Sequence, residues 1–137
     1  MYISESKLKV RYVETDQMGI VHHSNYYAWF EVGRGDFITK LGISYRDMEN
    51  QGIMMPIMET YCKYHEGAKY EDDIIIKTYI EELSPVKVVF SYDVIREADG
   101  KTLAKGKTTQ TFINNNFKII NLKKAFPDLW NKMLQLK

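Results

Sequence analysis

Hydrophobic and polar residues alternate along residues 7–12, and every second residue there is apolar. This is the period of a strand with one buried and one wet face. From about residue 24 to residue 41 the period changes to that of one helical face. Ser24 or Asn25 is a suitable N-cap for this helix, and Gly42 is a suitable stop. The residues that recur on the predicted inner face are Tyr27, Phe30, Arg34, Phe37, Ile38 and Leu41.

Two glycines inside this long helix indicate that another part of the structure approaches its backbone closely. Gly33 and Gly35 each cost on the order of 1 kcal/mol relative to Ala in a helix, so we expect a sheet or a ligand to approach the backbone there. Glu31 and Arg34 stand three positions apart on the long helix, which predicts a structural pair. A shorter helix over residues 44–50 follows, closed by Gly52.

The remainder of the chain reads as strands followed by one helix. Strands are predicted over residues 57–64, 73–81, 86–96 and 102–114, and the last two are joined through Asp-Gly, a strong hairpin signal. Residues 123–137 predict a terminal amphipathic helix with Pro127 in its first turn. Its expected inner side consists of Phe126, Trp130, Met133 and Leu134.

One long helix followed by strands joined mostly by short turns predicts an α+β fold, in which an antiparallel sheet packs against a central helix. The sheet has a second set of apolar residues on its other register, namely Ile75, Tyr79, Val89 and Ile95. A domain this small gains by burying such a face against a copy of itself. We therefore expect a homo-oligomer.

Composition narrows the class of protein. The 137 residues are 45% hydrophobic and 27% charged, which predicts one globular domain over residues 1–137. A formal net charge of +1 gives no reason to expect a nucleic-acid partner. No segment approaches the roughly 20 apolar residues of a membrane span, and no signal peptide is visible. The single cysteine, Cys62, fits a reducing compartment, so we expect a cytoplasmic protein.

The candidate chemistry lies in residues 12–27, where Asp16 stands just upstream of the long helix. This places a carboxylate beside the free N–H groups of a helix start, and a carbonyl bound between them could be attacked and polarised. Without further context, such an aspartate is more often a turn or capping residue. His22, His23 and His65 do not predict a metal site, because adjacent histidines rarely face one ion and no other ligand completes a tetrahedral set.

Residues 15–26, followed by Phe30-Glu31-Val32-Gly33-Arg34, resemble the signature of the hotdog-fold acyl-CoA thioesterases. The most similar branch comprises para-hydroxybenzoyl-CoA thioesterase and the thioesterases associated with the Tol-Pal envelope system. The likeness extends over residues 7–114 and includes Tyr64, the turn at residues 70–73 and the Asp99-Gly100 hairpin. The sequence departs from the pattern at Gln17-Met18, Lys9 and His22, which concerns substrate identity more than reaction type.

The resemblance implies a sheet wrapped around the long helix, two subunits joined edge to edge, and substrate at their interface. It implies that Asp16 carries catalysis, as nucleophile or as general base, and that the helix N-terminus forms the oxyanion hole. His23 is the second catalytic candidate, through its backbone N–H or its ring. The positions implied for substrate binding are Gly19, Ile20, Val21, Ser24, Tyr26, Tyr64 and Lys87.

The implied substrate is an acyl-CoA or acyl-carrier thioester, and the protein is expected as a homodimer or homotetramer. Coenzyme A is part of this substrate, so no separate cofactor is expected. Its phosphates need cations near the pocket mouth, for which Lys87, Lys105 and Lys107 are candidates. Two other functions stay open: a hotdog-fold hydratase or dehydratase acting on enoyl thioesters through His23 and Asp16, and a non-catalytic acyl-binding dimer.

Overall fold

A five-stranded antiparallel sheet and one long helix form most of the structure, a computed structural model that describes residues 1–137. The long helix lies between the first two strands of the chain, and three short helices complete the fold. In chain order the elements are β1 (Ser4–Lys9), a 3₁₀ turn (Tyr12–Glu14), α1 (Asn25–Thr39), α2 (Tyr45–Asn50), β2 (Ile57–Tyr64), β3 (Asp73–Ser84), β4 (Lys87–Arg96), β5 (Lys101–Thr111), α3 (Leu122–Ala125) and α4 (Pro127–Leu136).

The strands are ordered β1-β3-β4-β5-β2, and all neighbours are antiparallel. Helix α1 packs mainly against β3 and β1, and Phe30, Phe37 and Ile38 on its inner face are fully buried. The concave face of the sheet thus closes around one helix, which confirms the predicted α+β class and the hotdog arrangement.

Glycine allows the close contact between helix and sheet at two points. A Cβ at Gly33 would collide with Oγ1 of Thr78 on β3, and one at Gly106 on β5 would collide with the ring of Phe30. The predicted close approach is therefore confirmed at Gly33. It is wrong at Gly35, where nothing lies within 4 Å of the position a Cβ would take.

The first strand begins and ends earlier than the apolar alternation predicts. Strand β1 buries Ser4 and Ser6, two small polar side chains that contribute nothing to an apolar pattern. Tyr12 is not on the strand: it lies in the 3₁₀ turn and is 75% exposed. The chain leaves the sheet after Val10, whose N–H donates to the carbonyl oxygen of Asp72.

The later elements follow the prediction closely, with one correction at the C-terminus. The β4–β5 hairpin turns at Gly100, which has a φ of +69°. The terminal helix is broken at Phe126 into α3 and α4. Met133 is fully buried as predicted, but Leu134 is 48% exposed. The inner face of α4 instead includes Leu129, which is 8% exposed.

One edge of the sheet, strand β2, is almost entirely exposed. Strand β2 is an edge strand that pairs only with β5, and Pro56 precedes it, as expected for a residue that cannot serve a central ladder. Seven of its eight residues are exposed, and Cys62 is intermediate. None of the helices combines the length with the apolar character that a membrane-spanning helix needs.

Candidate active site

The loop between β1 and α1 is held in place by one buried carboxylate, that of Glu14. Its Oε1 accepts the N–H of Arg11 at 2.8 Å, and its Oε2 accepts Nε1–H of Trp29 at 2.9 Å. Its backbone oxygen accepts the N–H of His22 at 2.8 Å. Burial alone would raise the pKa of Glu14, but the hydrogen bonds from Arg11 and Trp29 outweigh it and hold that pKa below its usual value. An ionised Glu14 therefore ties the loop to helix α1.

Asp16 opens a tight turn that fixes its own side chain. Its Oδ1 accepts the N–H of Met18 at 2.8 Å, and its backbone oxygen accepts the N–H of Gly19 at 3.0 Å. Gly19 has a φ of +79°, in the left-handed region that glycine adopts without steric cost. Oδ2 of Asp16 takes part in no hydrogen bond or ion pair within the chain. One carboxylate oxygen thus orients the group and the other is left for a ligand.

Ile20 and Val21 of this loop pack against the segment that follows β2. The N–H of Val21 donates to the carbonyl oxygen of Ala68 at 2.8 Å. A Cβ at Gly67 would lie 2.6 Å from Cγ2 of Ile20, so only glycine fits at this contact. Together these contacts set the distance between the Asp16 loop and the end of β2.

His22 contacts the predicted N-cap residue, Ser24, at the start of helix α1. Ser24 occupies the N-cap position, but its side chain caps no helical N–H. Nδ1 of His22 accepts the Ser24 N–H at 3.3 Å and lies 2.8 Å from the Ser24 Oγ. The N–H of Asn25 donates to the carbonyl oxygen of His22 at 3.0 Å. The N–H of His23 has no acceptor within the chain.

Tyr64, at the end of β2, closes the site from the sheet side. Its hydroxyl donates to the carbonyl oxygen of His23 at 3.2 Å, and its ring meets that of Tyr26 edge to face with centroids 5.0 Å apart. Burial raises the pKa of Tyr64, and the neighbouring Cys62 and Tyr27 add to the effect. The hydroxyl therefore stays protonated and remains a donor.

These elements enclose an open cleft of about 280 Å³. It is bordered by the Asp16 loop, the start of α1, the end of β2 and the segment after it. The lining residues are Asp16, Met18, Ile20, Val21, His23, Tyr26, Tyr64, His65, Glu66 and Gly67. A residue with a carboxylate and a residue with an unpaired N–H at a helix start therefore line one partly apolar space, and this combination suits attack on a bound carbonyl.

The structure brings together most of the residues that the sequence nominates. Asp16, His23, Ile20, Val21, Tyr26 and Tyr64 all line the cleft. Gly19 and Ser24 do not line it; Gly19 shapes the Asp16 turn and Ser24 pairs with His22. Their places support the loop rather than a direct contact with substrate.

Lys87 is the one nominated residue that lies far from the cleft within a subunit. It pairs with Thr111 on β5, whereas Tyr64 pairs with Ala104. Seven residues of strand separate the two, which is about 23 Å. Nζ of Lys87 lies 3.6 Å from a carboxylate oxygen of Glu82. Lys105 and Lys107 form similar pairs with Asp93 and Glu81.

Several residues of the site were not nominated from the sequence. Glu14 and Trp29 look like ordinary loop and helix residues, and only their burial together reveals the anchor. His65, Glu66 and Gly67 follow β2 directly, and a glycine just after a strand was the available signal. Glu66 also forms two ion pairs, with Oε2 at 2.6 Å from Nη2 of Arg96 and Oε1 at 3.2 Å from Nζ of Lys101. These pairs fix this rim of the cleft to the β4–β5 hairpin.

The predicted pair between Glu31 and Arg34 does not form. Arg34 turns inward, where its Nη1 donates to the hydroxyl of Tyr92 at 3.1 Å, and no ion pair joins it to Glu31.

No group of three or more His, Cys, Asp or Glu side chains is arranged to hold a metal ion.

Comparison with known proteins identifies a family that matches most of the chain. The family model of the thioesterase-like superfamily matches residues 10–130. A protein of Bacillus subtilis (strain 168) named "Putative acyl-CoA thioesterase YneP" is 38% identical over 129 residues, which is 93% of each chain.

Two solved structures resemble the chain over most of its length. DHNA-CoA thioesterase from Staphylococcus aureus superposes with a TM-score of 0.92 at 38% identity, covering 98% of this chain and 91% of the other. The BH1999 gentisyl-coenzyme A thioesterase superposes with a TM-score of 0.78 at 26% identity, covering 85% and 93%.

Proposed function

Since the chain belongs to the thioesterase-like superfamily, we propose that it hydrolyses acyl-coenzyme A thioesters to a free acid and coenzyme A. The observation that carries the proposal is the cleft itself, which is lined by Asp16, with one free carboxylate oxygen, and by His23, with an unpaired N–H. The names of the relatives in Bacillus subtilis and Staphylococcus aureus support the same reaction class. The finer assignment to the para-hydroxybenzoyl-CoA and Tol-Pal branch stays a prediction.

In this proposal the thioester carbonyl oxygen points at the N–H of His23. Negative charge develops on that oxygen in the transition state, and both the N–H and the positive end of the α1 dipole stabilise it. A well-placed donor of this kind contributes about 3 to 4 kcal/mol to lowering the barrier. The peptide group that carries this N–H is held through the His22 carbonyl oxygen, which accepts the N–H of Asn25. The Tyr64 hydroxyl donates to the carbonyl oxygen of the next peptide group, that of His23.

Asp16 acts on the other face of the carbonyl by one of two routes. As a general base it takes a proton from water, and the hydroxide attacks the carbonyl carbon. As a nucleophile its free oxygen attacks directly and forms a mixed anhydride, which water then hydrolyses. In both routes the C–S bond breaks and coenzyme A leaves as the thiolate. The hydrogen bond from Met18 N–H to Oδ1 leaves Oδ2 to do either.

We further propose that two copies of the chain associate along β2. This edge strand presents unpaired backbone groups and the exposed side chains of Ile57, Met58, Tyr61 and Tyr64, and an edge of this kind readily pairs with another strand. A second copy would also cover the open side of the cleft that Tyr64 borders. Mass measurement in solution tests this, because a fully active monomer would contradict it.

Release of free thiol from a panel of acyl-CoA thioesters tests the proposed reaction. We expect hydrolysis of at least one member by the wild-type chain. Hydration of an enoyl-CoA without thiol release would instead assign the hydratase alternative, in which the exposed ring of His23 acts with Asp16. Binding of acyl-CoA with neither reaction would assign the acyl-binding alternative. A panel of acyl-carrier-protein thioesters run in parallel identifies the carrier.

A further inference from the structure

Residues 14–22 form a small hairpin that carries Asp16 near its turn. Its two arms are joined by an antiparallel bridge, and the N–H of Asp16 donates across it to the carbonyl oxygen of Ile20 at 2.9 Å. Its base is closed by the N–H of His22, which donates to the carbonyl oxygen of Glu14 at 2.8 Å. We call this segment the Asp16 hairpin. It ends one residue before the N–H that the proposed reaction uses.

The side chain of Asn25, the first residue of α1, contacts the base of the Asp16 hairpin. Its Nδ2 donates to the carbonyl oxygen of Glu14 at 3.0 Å and to that of His22 at 3.2 Å. Both of these neighbours are acceptors only, so the atom that faces them is the NH2 group and not Oδ1. One side chain therefore joins the two ends of the Asp16 hairpin to the start of the helix.

The carbonyl oxygen of His22 receives a second hydrogen bond from the same residue. The backbone N–H of Asn25 donates to it at 3.0 Å, so Asn25 occupies both lone pairs of this oxygen. The oxygen belongs to the peptide group whose N–H is that of His23. Hydrogen bonds in a chain polarise one another, so the two donors on the C=O side strengthen the N–H on the opposite side of this peptide group.

The neighbouring N–H groups at the start of α1 are all occupied. That of His22 donates to the Glu14 carbonyl oxygen, and that of Ser24 donates to Nδ1 of His22. That of Asn25 donates to the His22 carbonyl oxygen. The N–H of His23 alone among the four has no acceptor within the chain. The chain thus leaves one donor for a ligand, and Asn25 contacts the peptide group that carries it.

An oxyanion donor works only over a narrow range of distance. It must lie about 2.7 to 3.1 Å from the position of the developing charge, and a misplacement of about 1 Å costs a factor of about 100 in rate. His23 and Ser24 precede the first residue of α1, so the hydrogen bonds of the helix do not fix their peptide groups. The contacts of Asn25 supply this constraint.

We propose that Asn25 is a positioning residue of the reaction: its carboxamide holds the peptide group that follows His22 at a fixed place relative to the Asp16 hairpin. The same contacts strengthen the N–H of that peptide group as the oxyanion donor. The inference rests on the proposed thioesterase function, because that function gives the N–H its role. Asn25 does not line the cleft, so it acts through the peptide group and not by contact with substrate.

Two substitutions of Asn25 and one control test this role. Asn25→Ala removes both side-chain hydrogen bonds, and alanine is the best helix former. Asn25→Asp keeps the shape of the side chain but turns a carboxylate oxygen toward two carbonyl oxygens, and it places a negative charge near the developing oxyanion. Asn131→Ala, at an exposed position on α4, is the matched control.

The first measurement is the hydrolysis of the best acyl-CoA of the wild type. We expect kcat to fall about 10- to 100-fold in Asn25→Ala while KM stays within about threefold, because the donor acts mainly in the transition state. Asn25→Asp should lose more, about 100- to 1,000-fold in kcat, and Asn131→Ala should keep the wild-type values. Urea unfolding curves establish that each variant is folded under the assay conditions.

The second measurement separates positioning from a loss of folded protein. S-phenacyl-CoA keeps a carbonyl oxygen but has a methylene group between it and the sulfur, and S-phenethyl-CoA lacks that oxygen; S-acetonyl-CoA and S-propyl-CoA are the aliphatic pair. We expect the wild type to bind the ketone of at least one pair about 5- to 10-fold more tightly, as for one hydrogen bond. Asn25→Ala should reduce this ratio of Kd values, measured by calorimetry, to about twofold or less.

The outcomes distinguish the role of Asn25 from the reaction itself. A kcat for Asn25→Ala within about twofold of the wild type, or a Kd ratio that keeps its wild-type value, would overturn the inference and leave the thioesterase function standing. If the wild type hydrolyses no thioester, the proposed function fails and the Kd ratio decides: a ratio that collapses in Asn25→Ala supports the inference, and equal Kd values or no binding overturn it. If Asn25→Ala does not fold, the ratio in Asn25→Asp decides, and a wild-type ratio there overturns the inference.

Discussion

The buried carboxylate of Glu14 offers the sharpest test of how the active-site loop is held. In Glu14→Gln the side chain keeps its shape but carries one acceptor oxygen and one NH2 group. If the oxygen still accepts the N–H of Arg11, the NH2 group faces Nε1–H of Trp29, and two donors then meet at a contact that is 2.9 Å in the wild type. The ion pair with Arg11, at 3.5 Å, is lost as well.

The expected cost follows from these contacts. An unpaired buried donor costs about 1 to 3 kcal/mol, and replacing a charged acceptor by a neutral one weakens the remaining hydrogen bond by about 1 kcal/mol. The pair with Arg11 adds little, because the Arg11 side chain is 73% exposed and such pairs are worth about 0 to 1 kcal/mol. We therefore predict a loss of about 2 to 4 kcal/mol in the free energy of unfolding.

Urea unfolding at pH 7 measures this loss, and a double-mutant cycle assigns it to the contact. Trp29→Phe removes the donor, so the double variant Glu14→Gln with Trp29→Phe should be more stable than the sum of the two single losses predicts. Additive losses would mean that the contact does not hold the loop. A loss below about 0.5 kcal/mol in Glu14→Gln, the size of an ordinary surface change, would refute the reasoning altogether.

Three further predictions concern the same loop and the C-terminal helix. The folded-state pKa of Glu14 is lowered, so its contribution to stability is present above the unfolded pKa of about 4.3 and is lost as pH falls through the folded value. The difference in unfolding free energy between wild type and Glu14→Gln should therefore narrow as pH falls in acid unfolding titrations. A constant difference would contradict this. Gly67→Ala should cost about 1 to 3 kcal/mol in urea unfolding by pressing on Ile20, and an unchanged midpoint would show that the loop shifts freely. Met133→Ala should cost about 2 to 5 kcal/mol and Leu134→Ala under about 1 kcal/mol in thermal or urea melts, and the reverse order would contradict the observed face of α4.

The periodic parts of the fold could be predicted from the sequence because their apolar spacing is set by burial. Strand β2 and helix α2 occur where the patterns place them, and the Asp99-Gly100 turn forms the expected hairpin. The errors occur where burial and polarity disagree. Ser4 and Ser6 are buried on β1 although serine adds nothing to an apolar period, and the exposed Tyr12 appears to continue it.

The site was predictable where local chain geometry decides it. Asp16 and His23 are close in sequence to one helix start, so the loop alone brings them to one cleft. Contacts between distant segments could not be deduced, such as Gly67 against Ile20 or Trp29 against Glu14, because no period links their positions. Lys87 shows the same limit: alternation placed it on a strand, but strand pairing decides which end of the sheet it occupies.

The catalytic role of Asp16 is tested most directly by the kcat/KM of Asp16→Asn with the best acyl-CoA of the wild type. Asparagine keeps the size of the side chain and an oxygen to accept the Met18 N–H, but it removes the base and the nucleophile. Asp36→Asn, at an exposed position on α1, is the matched control. We predict a fall of about 10²- to 10⁴-fold for Asp16→Asn and no change for the control. Hydrolysis by Asp16→Asn at the wild-type rate would contradict the account.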